Sequence, residues 1–378
     1  MGRKRPMLLL PRSLWGTEEG CLATELIGAS ASRAGVFGAR PLRVAVIGCG
    51  YWGPNLVRNF FDAPGSTVTR VCDLEPERLD AIGKRYPTIG LGSDWRDVVH
   101  DPDVDAVCIA TPAATHYAIA REALNAGKHV WVEKPLSMSF AEARELTELA
   151  TKLGRVLLVD HTFVYTPAVQ RMRQSIVSGE LGDLLYYDSI RVNLGMYQHD
   201  VNVIWDLGVH DFSIIDYLLP YRPSGVSAVA ASQIADSGRE GLAYVTLHFE
   251  GDFIAHFHVS WLAPVKIRLA TVCGTKRMIV FDDTAPSEKL KIYDRGIEVS
   301  GSSKDRERLQ VEYRTGDMSA PKLDQVEALQ IAAQHFAECV ATGATPITDG
   351  AAGARVVAML EATQRSLAAG GRVEKLDF

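Results

Sequence analysis

Val44-Ala45-Val46-Ile47-Gly48-Cys49-Gly50-Tyr51-Trp52-Gly53 decides the fold. An apolar run rich in β-branched residues feeds straight into G-x-G-x-x-G. Asn55, Leu56, Val57 and Phe60 then continue with helical spacing. Strand, turn and helix in that order are the context that a bare glycine pattern lacks. Each glycine has its own task. Gly48 makes the tight turn, Gly50 lets a pyrophosphate approach the backbone, and Gly53 lets the helix pack close to the strand. The helix N-terminus offers N–H groups and the positive end of its dipole to phosphate. Val68–Cys72 reads as a second strand, and Asp73 ends it, near the spacing of about 20 residues expected of a ribose-binding acid. A glycine-rich turn before an ordinary helix would need none of this company.

Outward from that stretch, strand and helix alternate. Val104–Ala110, Val130–Val132 and Val156–Val159 are further strands. Helical stretches lie near Pro54–Phe61, Pro76–Tyr86, Trp95–Val99, His116–Ala126 and Phe140–Lys152. Short apolar strands without alternation suit a parallel sheet buried on both faces, and the βα order predicts a doubly wound Rossmann domain. Beyond Asp160–Tyr165 the pattern changes. A helix over Pro167–Ser178 precedes strand-like segments at Leu184–Asn193, Val226–Ile234, Ala243–Phe249, Phe253–Trp261, Ile267–Cys273 and Met278–Phe281. Only Ile204–Leu219 reads as helix among them, and helices return at Leu323–Ala341 and Gly350–Ala369. That succession predicts an α+β domain with an open, mostly antiparallel sheet. The expected division is an N-terminal extension over 1–40, loosely ordered, a nucleotide-binding domain over 41–161 and a second domain over 162–378.

The chain has 378 residues, too many for one ordinary core. Its 47% hydrophobic and 23% charged content is that of a globular protein. A net charge of −6 gives no electrostatic reason to expect nucleic acid. No run reaches the roughly 18 apolar residues of a membrane span, and Met7–Leu10 is too short for a signal-peptide core. Six cysteines lie far apart with no C-x-x-C pair, so neither a disulfide framework nor a zinc site is expected. The expected compartment is reducing and cytoplasmic.

Several residues could carry chemistry. Thr111-Pro112 ends the third of the strands named above, at the rim where ligands bind in doubly wound sheets. His116 follows, either near the nicotinamide or as a polar residue in the first turn of the next helix. Glu133-Lys134-Pro135 ends the next strand at the same rim. Lys134 could hold a substrate oxygen as a fixed positive donor, or the pair could be an ordinary surface Glu–Lys. Asp206 and His210 are four apart in an expected helix and so share a face. A carboxylate beside an imidazole orients the ring, which suits it to take a hydroxyl proton. A helix cap with an exposed histidine would explain the same spacing. His256 and His258 share one strand face, and two histidines are too few for a zinc site. Tyr165, Arg191, Asn193, His199 and Asn202 are candidate sugar or phosphate contacts, or else polar residues on a solvated edge. Trp205 and Trp261 read as core.

Taken together, G-x-G-x-x-G, A-T-P-x-x-x-H at Ala110–His116 and E-K-P at Glu133–Pro135 resemble the Gfo/Idh/MocA oxidoreductase family over about residues 42–375. The Asp-x-x-x-His at Asp206–His210 matches a further motif of that family. The resemblance implies a Rossmann domain followed by an α/β domain with an open sheet, and a nicotinamide-dependent oxidation of a secondary hydroxyl. It implies that Lys134, His210 and Asp206 are catalytic. Gly48, Gly50, Tyr51, Trp52, Gly53 and Asp73 would hold the cofactor, with Thr111, Pro112, His116, Glu133 and Lys134 along its rim. Tyr165, Arg191, Asn193, Asn202 and His210 would face substrate.

Asp73 favours NAD over NADP, because a carboxylate accepts from a ribose diol and repels a 2′-phosphate. Segments Asp160–Val169, Asp188–Gly195 and Trp205–Asp211 look like the branch acting on nucleotide sugars, including UDP-N-acetylglucosamine 3-dehydrogenases and 3-ketoreductases. The alternatives are a free-sugar or inositol dehydrogenase, or an NAD-dependent glycoside-processing enzyme of the same family. A sugar or nucleotide sugar is the expected partner, with neither nucleic acid nor membrane, and a homodimer or homotetramer through the C-terminal sheet.

Overall fold

The computed structural model describes residues 40–195, 201–232, 238–300 and 310–378. The N-terminal extension lies outside them, apart from Arg40, as do Cys21 and His199. Two units divide the chain. The first carries strands β1 (Leu42–Ile47), β2 (Ser66–Cys72), β3 (Gly90–Gly92), β4 (Ala106–Ile109), β5 (His129–Glu133) and β6 (Leu157–Asp160). They form one parallel sheet in the order β3-β2-β1-β4-β5-β6. The crossovers contain helices α1 (Gly53–Asp62), α2 (Pro76–Arg85), α3 (Trp95–Val99), α4 (His116–Asn125) and α5 (Phe140–Leu153). The order reverses between β1 and β4, which places the ligand crevice at their carboxyl ends. Val44, Ala45 and Val46 are fully buried, as expected of a strand covered on both faces.

The second unit opens with α6 (Pro167–Val177). Its main sheet is built from β7 (Leu184–Leu194), β8 (Gly225–Ala231), β9 (Leu242–His248), β10 (Ile254–Ser260), β11 (Leu262–Gly274), β12 (Met278–Asp282) and β13 (Leu290–Tyr293). A separate hairpin joins β14 (Gly296–Ser300) to β15 (Gln310–Arg314). Two short strands, β16 (Met318–Ser319) and β17 (Glu374–Lys375), form the edges of the nine-stranded sheet β16-β13-β12-β11-β7-β10-β9-β8-β17. Among the described residues of this sheet, only the β7–β10 pair is parallel. A π-helical turn, Ile204–Gly208, runs into α7 (Val209–Leu218). Phe212 of α7 meets Phe257 of β10 edge-on at 5.3 Å, and Tyr187 of β7 meets the same ring at 5.8 Å. Alternation therefore sends Tyr187 and Phe257 inward against the helix, and leaves Tyr186, Tyr244 and Ile254 on the exposed face.

The last two helices are α8 (Ala328–Thr342) and α9 (Gly350–Ala368). Here the structure corrects the expected division. Gln325–Glu361 belongs to the first unit, and only Ala362–Asp377 returns to the second. Phe336 of α8 packs edge-on against Phe60 at 6.0 Å and Trp131 at 5.7 Å, and Phe60 meets Trp131 at 5.2 Å. Such aromatic pairs contribute about 0.5–1.5 kcal/mol each beyond area burial. Glu327 takes both guanidinium arms of Arg58, at 2.7 and 2.8 Å. Glu327 itself has extended backbone, and the helix begins at Ala328 rather than at Leu323.

Candidate active site

The glycine turn is shaped by close approach. Gly48 has φ +96°, and a Cβ there would lie 2.6 Å from the Ala110 carbonyl oxygen. A Cβ on Gly53 would lie 2.0 Å from the Gly48 carbonyl oxygen, so the first turn of α1 packs directly on the strand end. A Cβ on Gly50 would meet nothing within 4 Å. That open side is where a pyrophosphate would pass, and no side chain caps the N-terminus of α1. Tyr51 and Trp52 stand over the turn, 74% and 43% exposed, with their rings edge-on at 5.3 Å.

Asp73 does more than wait for a ribose. Its Oδ2 accepts the Cys49 N–H at 2.5 Å, and its Oδ1 accepts the Glu75 N–H at 2.9 Å. Arg78 approaches the same carboxylate at 3.4 Å. The acid thus fastens the glycine turn to the end of β2, and its remaining lone pairs can accept ribose hydroxyls. An open Gly50 and an acid at the end of β2 are what a dinucleotide needs.

Thr111 and Pro112 follow β4. The Thr115 hydroxyl donates to the Pro112 carbonyl at 2.7 Å, and Thr111 Oγ1 lies 2.6 Å from Thr115 Oγ1. His116 is 1% exposed, with its ring between two carbonyl oxygens. It turns into the protein rather than toward the open side of the rim. Lys134 is half-buried, and its bond to Pro135 is cis.

Behind Lys134, Glu133 and Asp160 are neighbours across β5 and β6, and both are buried. Burial, and then the neighbouring Asp160, push the Glu133 carboxyl well above its usual range. Burial also raises Asp160, to about 6, against hydrogen bonds from Thr162 and Glu133. Both shifts run toward the protonated form, as expected of two carboxyl groups buried side by side, with Lys134 opposing them. Asp160 ends a predicted strand at the same rim, which was the signal available for it in the sequence.

In the second unit, Asp206 sits in the π-helical turn and His210 is the second residue of α7. Four residues on, in either winding, the two still share a face. Both are half-buried. Asp206 Oδ2 accepts the indole N–H of Trp261 at 2.9 Å. Trp261 is core, as expected, yet it also aims the carboxylate, a role that sequence reasoning missed.

Three expected substrate contacts stand elsewhere. Arg191 is 5% exposed, and its guanidinium donates to Asp211 at 2.8 Å, with Ser189 on the same carboxylate at 3.0 Å. A guanidinium committed to a buried acid does not suit a diphosphate. Asn202 caps the π-helical turn, its Oδ1 accepting the Ile204 and Trp205 N–H groups while its amide donates to Glu240 and Gln364. With both ends engaged, it serves the helix start. Tyr165 is fully buried, with its hydroxyl 3.2 Å from Thr348 Oγ1. Asn193 remains half-buried on β7.

Residues 42–161 match the model of an oxidoreductase family with an NAD-binding Rossmann fold, and residues 169–280 match the GFO/IDH/MocA C-terminal domain. The chain belongs to the Gfo/Idh/MocA oxidoreductase family. This Gfo/Idh/MocA chain is similar to the scyllo-inositol 2-dehydrogenase (NAD(+)) of Bacillus subtilis, at 28% identity over 81% of this chain and 88% of that one. It is equally similar to the UDP-N-acetylglucosamine 3-dehydrogenase of Acidithiobacillus ferrooxidans, at 28% identity over 84% and 94%. A solved structure of that enzyme has TM-score 0.73 at 26% identity, covering 87% of this chain and 98% of that one. A candidate oxidoreductase of Magnetospirillum magnetotacticum MS-1 reaches 32% identity and TM-score 0.74 over 85% and 99%. The Gfo/Idh/MocA chain is thus an NAD-binding oxidoreductase of the sugar-dehydrogenase type.

Proposed function

We propose that the enzyme oxidises a secondary ring hydroxyl of a nucleotide sugar, at C3, or runs the reverse ketoreduction. The observation that carries this reading is the match to a UDP-N-acetylglucosamine 3-dehydrogenase over 84% of this chain and 94% of that one. NAD, held by the Gly48–Gly53 turn and Asp73, would supply the acceptor for the hydride on the carbon that bears the hydroxyl. Lys134 donates a hydrogen bond to that hydroxyl oxygen and stabilises the negative charge growing on it as the C–H bond breaks. His210 takes the proton from the hydroxyl oxygen while the carbon gives up its hydride, so the C–O bond becomes a ketone C=O. Asp206, aimed by Trp261, orients the imidazole.

The comparison with scyllo-inositol 2-dehydrogenase supports a second reading, in which a free cyclitol or sugar is the substrate. Steady-state kinetics over UDP-sugars, free sugars and inositols separates the two. A nucleotide sugar should exceed its free sugar in kcat/KM by about 100-fold or more, because remote binding energy orients the reacting carbon. Should glucose or myo-inositol react as well as any UDP-sugar, the second reading replaces the first.

We also propose that the exposed face of the nine-stranded sheet meets a second copy of the chain, in a homodimer or homotetramer. Tyr244 stacks on His258 at 4.5 Å there, flanked by half-exposed Ile254 and Val229. Apolar and aromatic groups this exposed on one face mark an interaction surface. Tyr244→Glu should shift the molecular mass in solution toward the monomer, measured by light scattering. An unchanged mass for this variant and for Ile254→Asp would refute the sheet as the contact.

A further inference from the structure

His116 begins α4 immediately after the Thr111–Thr115 turn, and it is 1% exposed. Its Nδ1 lies 2.7 Å from the carbonyl oxygen of Pro135, and its Nε2 lies 2.9 Å from that of Thr111. Those carbonyls belong to the loops that leave β5 and β4, neighbouring strands of one sheet. One of them belongs to the residue directly after Lys134. The ring therefore spans the two loops that form this part of the rim.

We propose that His116 is a positioning residue for the reaction, fastening the Lys134-Pro135 turn to the start of α4 through its Nδ1 contact with the Pro135 carbonyl so that the lysine ammonium is held where it works. The proposal rests on the reading of Lys134 given above. It assigns His116 no contact with cofactor or substrate. A histidine serving only the core has no need to hold the carbonyl next to Lys134, whereas this ring places a nitrogen 2.7 Å from it. Two carbonyls on one ring call for two N–H donors, while burial holds the His116 pKa below the ordinary histidine value. When the ring carries one proton, the shorter contact to Pro135 is the one it serves.

Two substitutions divide the contacts. The amide nitrogen of asparagine stands where Nδ1 stands, and that of glutamine where Nε2 stands. His116→Asn thus keeps the bond to Pro135 and gives up Thr111, and His116→Gln does the reverse. The expected result is kcat within about threefold of wild type for His116→Asn, and a loss of about 10-fold or more for His116→Gln and His116→Ala. kcat is expressed per NAD-titrated folded site, with melting temperature read beside it. Equal kcat in the asparagine and glutamine variants, high or low, overturns the proposal. Lys134→Ala is measured in parallel. If it keeps full turnover, the reading of Lys134 fails and the positioning role fails with it. If it loses turnover while the asparagine and glutamine variants stay equal, only the positioning role is lost. Ring 15N shifts of the wild-type enzyme give a test independent of substitution. A proton on Nδ1 agrees with the proposal, and a proton on Nε2 alone contradicts it.

Discussion

Replacing Lys134 by alanine is expected to lower kcat by about 100-fold or more while leaving NAD affinity nearly unchanged. That is the usual size of losing one preorganised donor to a developing oxyanion. The structure explains why the lysine should matter more as a placed charge than as a binding group. It follows β5 at the rim of the sheet, next to the buried Glu133–Asp160 pair, whose carboxyl groups feel its charge. The cofactor cradle at Gly50 and the acid at the end of β2 belong to other loops, so NAD should still bind. Stopped-flow turnover beside a fluorescence titration of NAD checks both halves. A variant that turns over like wild type would make Lys134 a rim residue only.

His210→Asn should remove most of the turnover and flatten the acidic limb of the rate profile. In the wild type, the rate of oxidation should fall toward acid pH, because an imidazolium has no lone pair to accept the hydroxyl proton. The variant lacks that titrating base, so its small residual rate should depend little on pH over the same range. Asp206→Asn should cost less, about 10-fold, since the amide can still accept from the Trp261 indole while losing the charge that orients the ring. Initial rates of NADH formation between pH 5 and pH 9, with all three proteins at saturating NAD, supply the comparison. An acidic limb that survives in His210→Asn would assign the base to another group.

The nucleotide-binding unit was legible because its signals are local. β-branched runs mark β1, β2, β4, β5 and β6, and the glycine spacing places α1 to within a residue. β3 escaped notice because Gly90-Leu91-Gly92 has no strand-forming residue beyond leucine and is held only by its neighbour β2. The division of the C-terminal helices escaped for a different reason. An amphipathic helix shows that it has an apolar face, but not which core receives it. Phe336 could be placed beside Phe60 and Trp131 only in three dimensions.

The same limit governs the site. Lys134, Asp206 and His210 were singled out because the spacing of E-K-P and Asp-x-x-x-His is short and regular, and their roles are proposals. Arg191, Asn202 and Tyr165 looked like ligand contacts because they are polar and sit near those motifs. Their real partners, Asp211, Gln364 and Thr348, lie 20, 162 and 183 residues away. Burial decided their roles, and a single sequence does not display burial at one residue.

The central claim is net oxidation of a sugar hydroxyl with transfer of its carbon-bound hydrogen to NAD. It is tested most directly by incubating the enzyme with NAD and UDP-N-acetylglucosamine deuterated at C3, then following NADH absorbance and analysing both products by mass spectrometry. The expected result is one NADH per keto-sugar formed, with the deuterium in the NADH. Cleavage of the sugar, or loss of deuterium to water, without net NADH would contradict it and place the chain among the glycoside-processing members of its family.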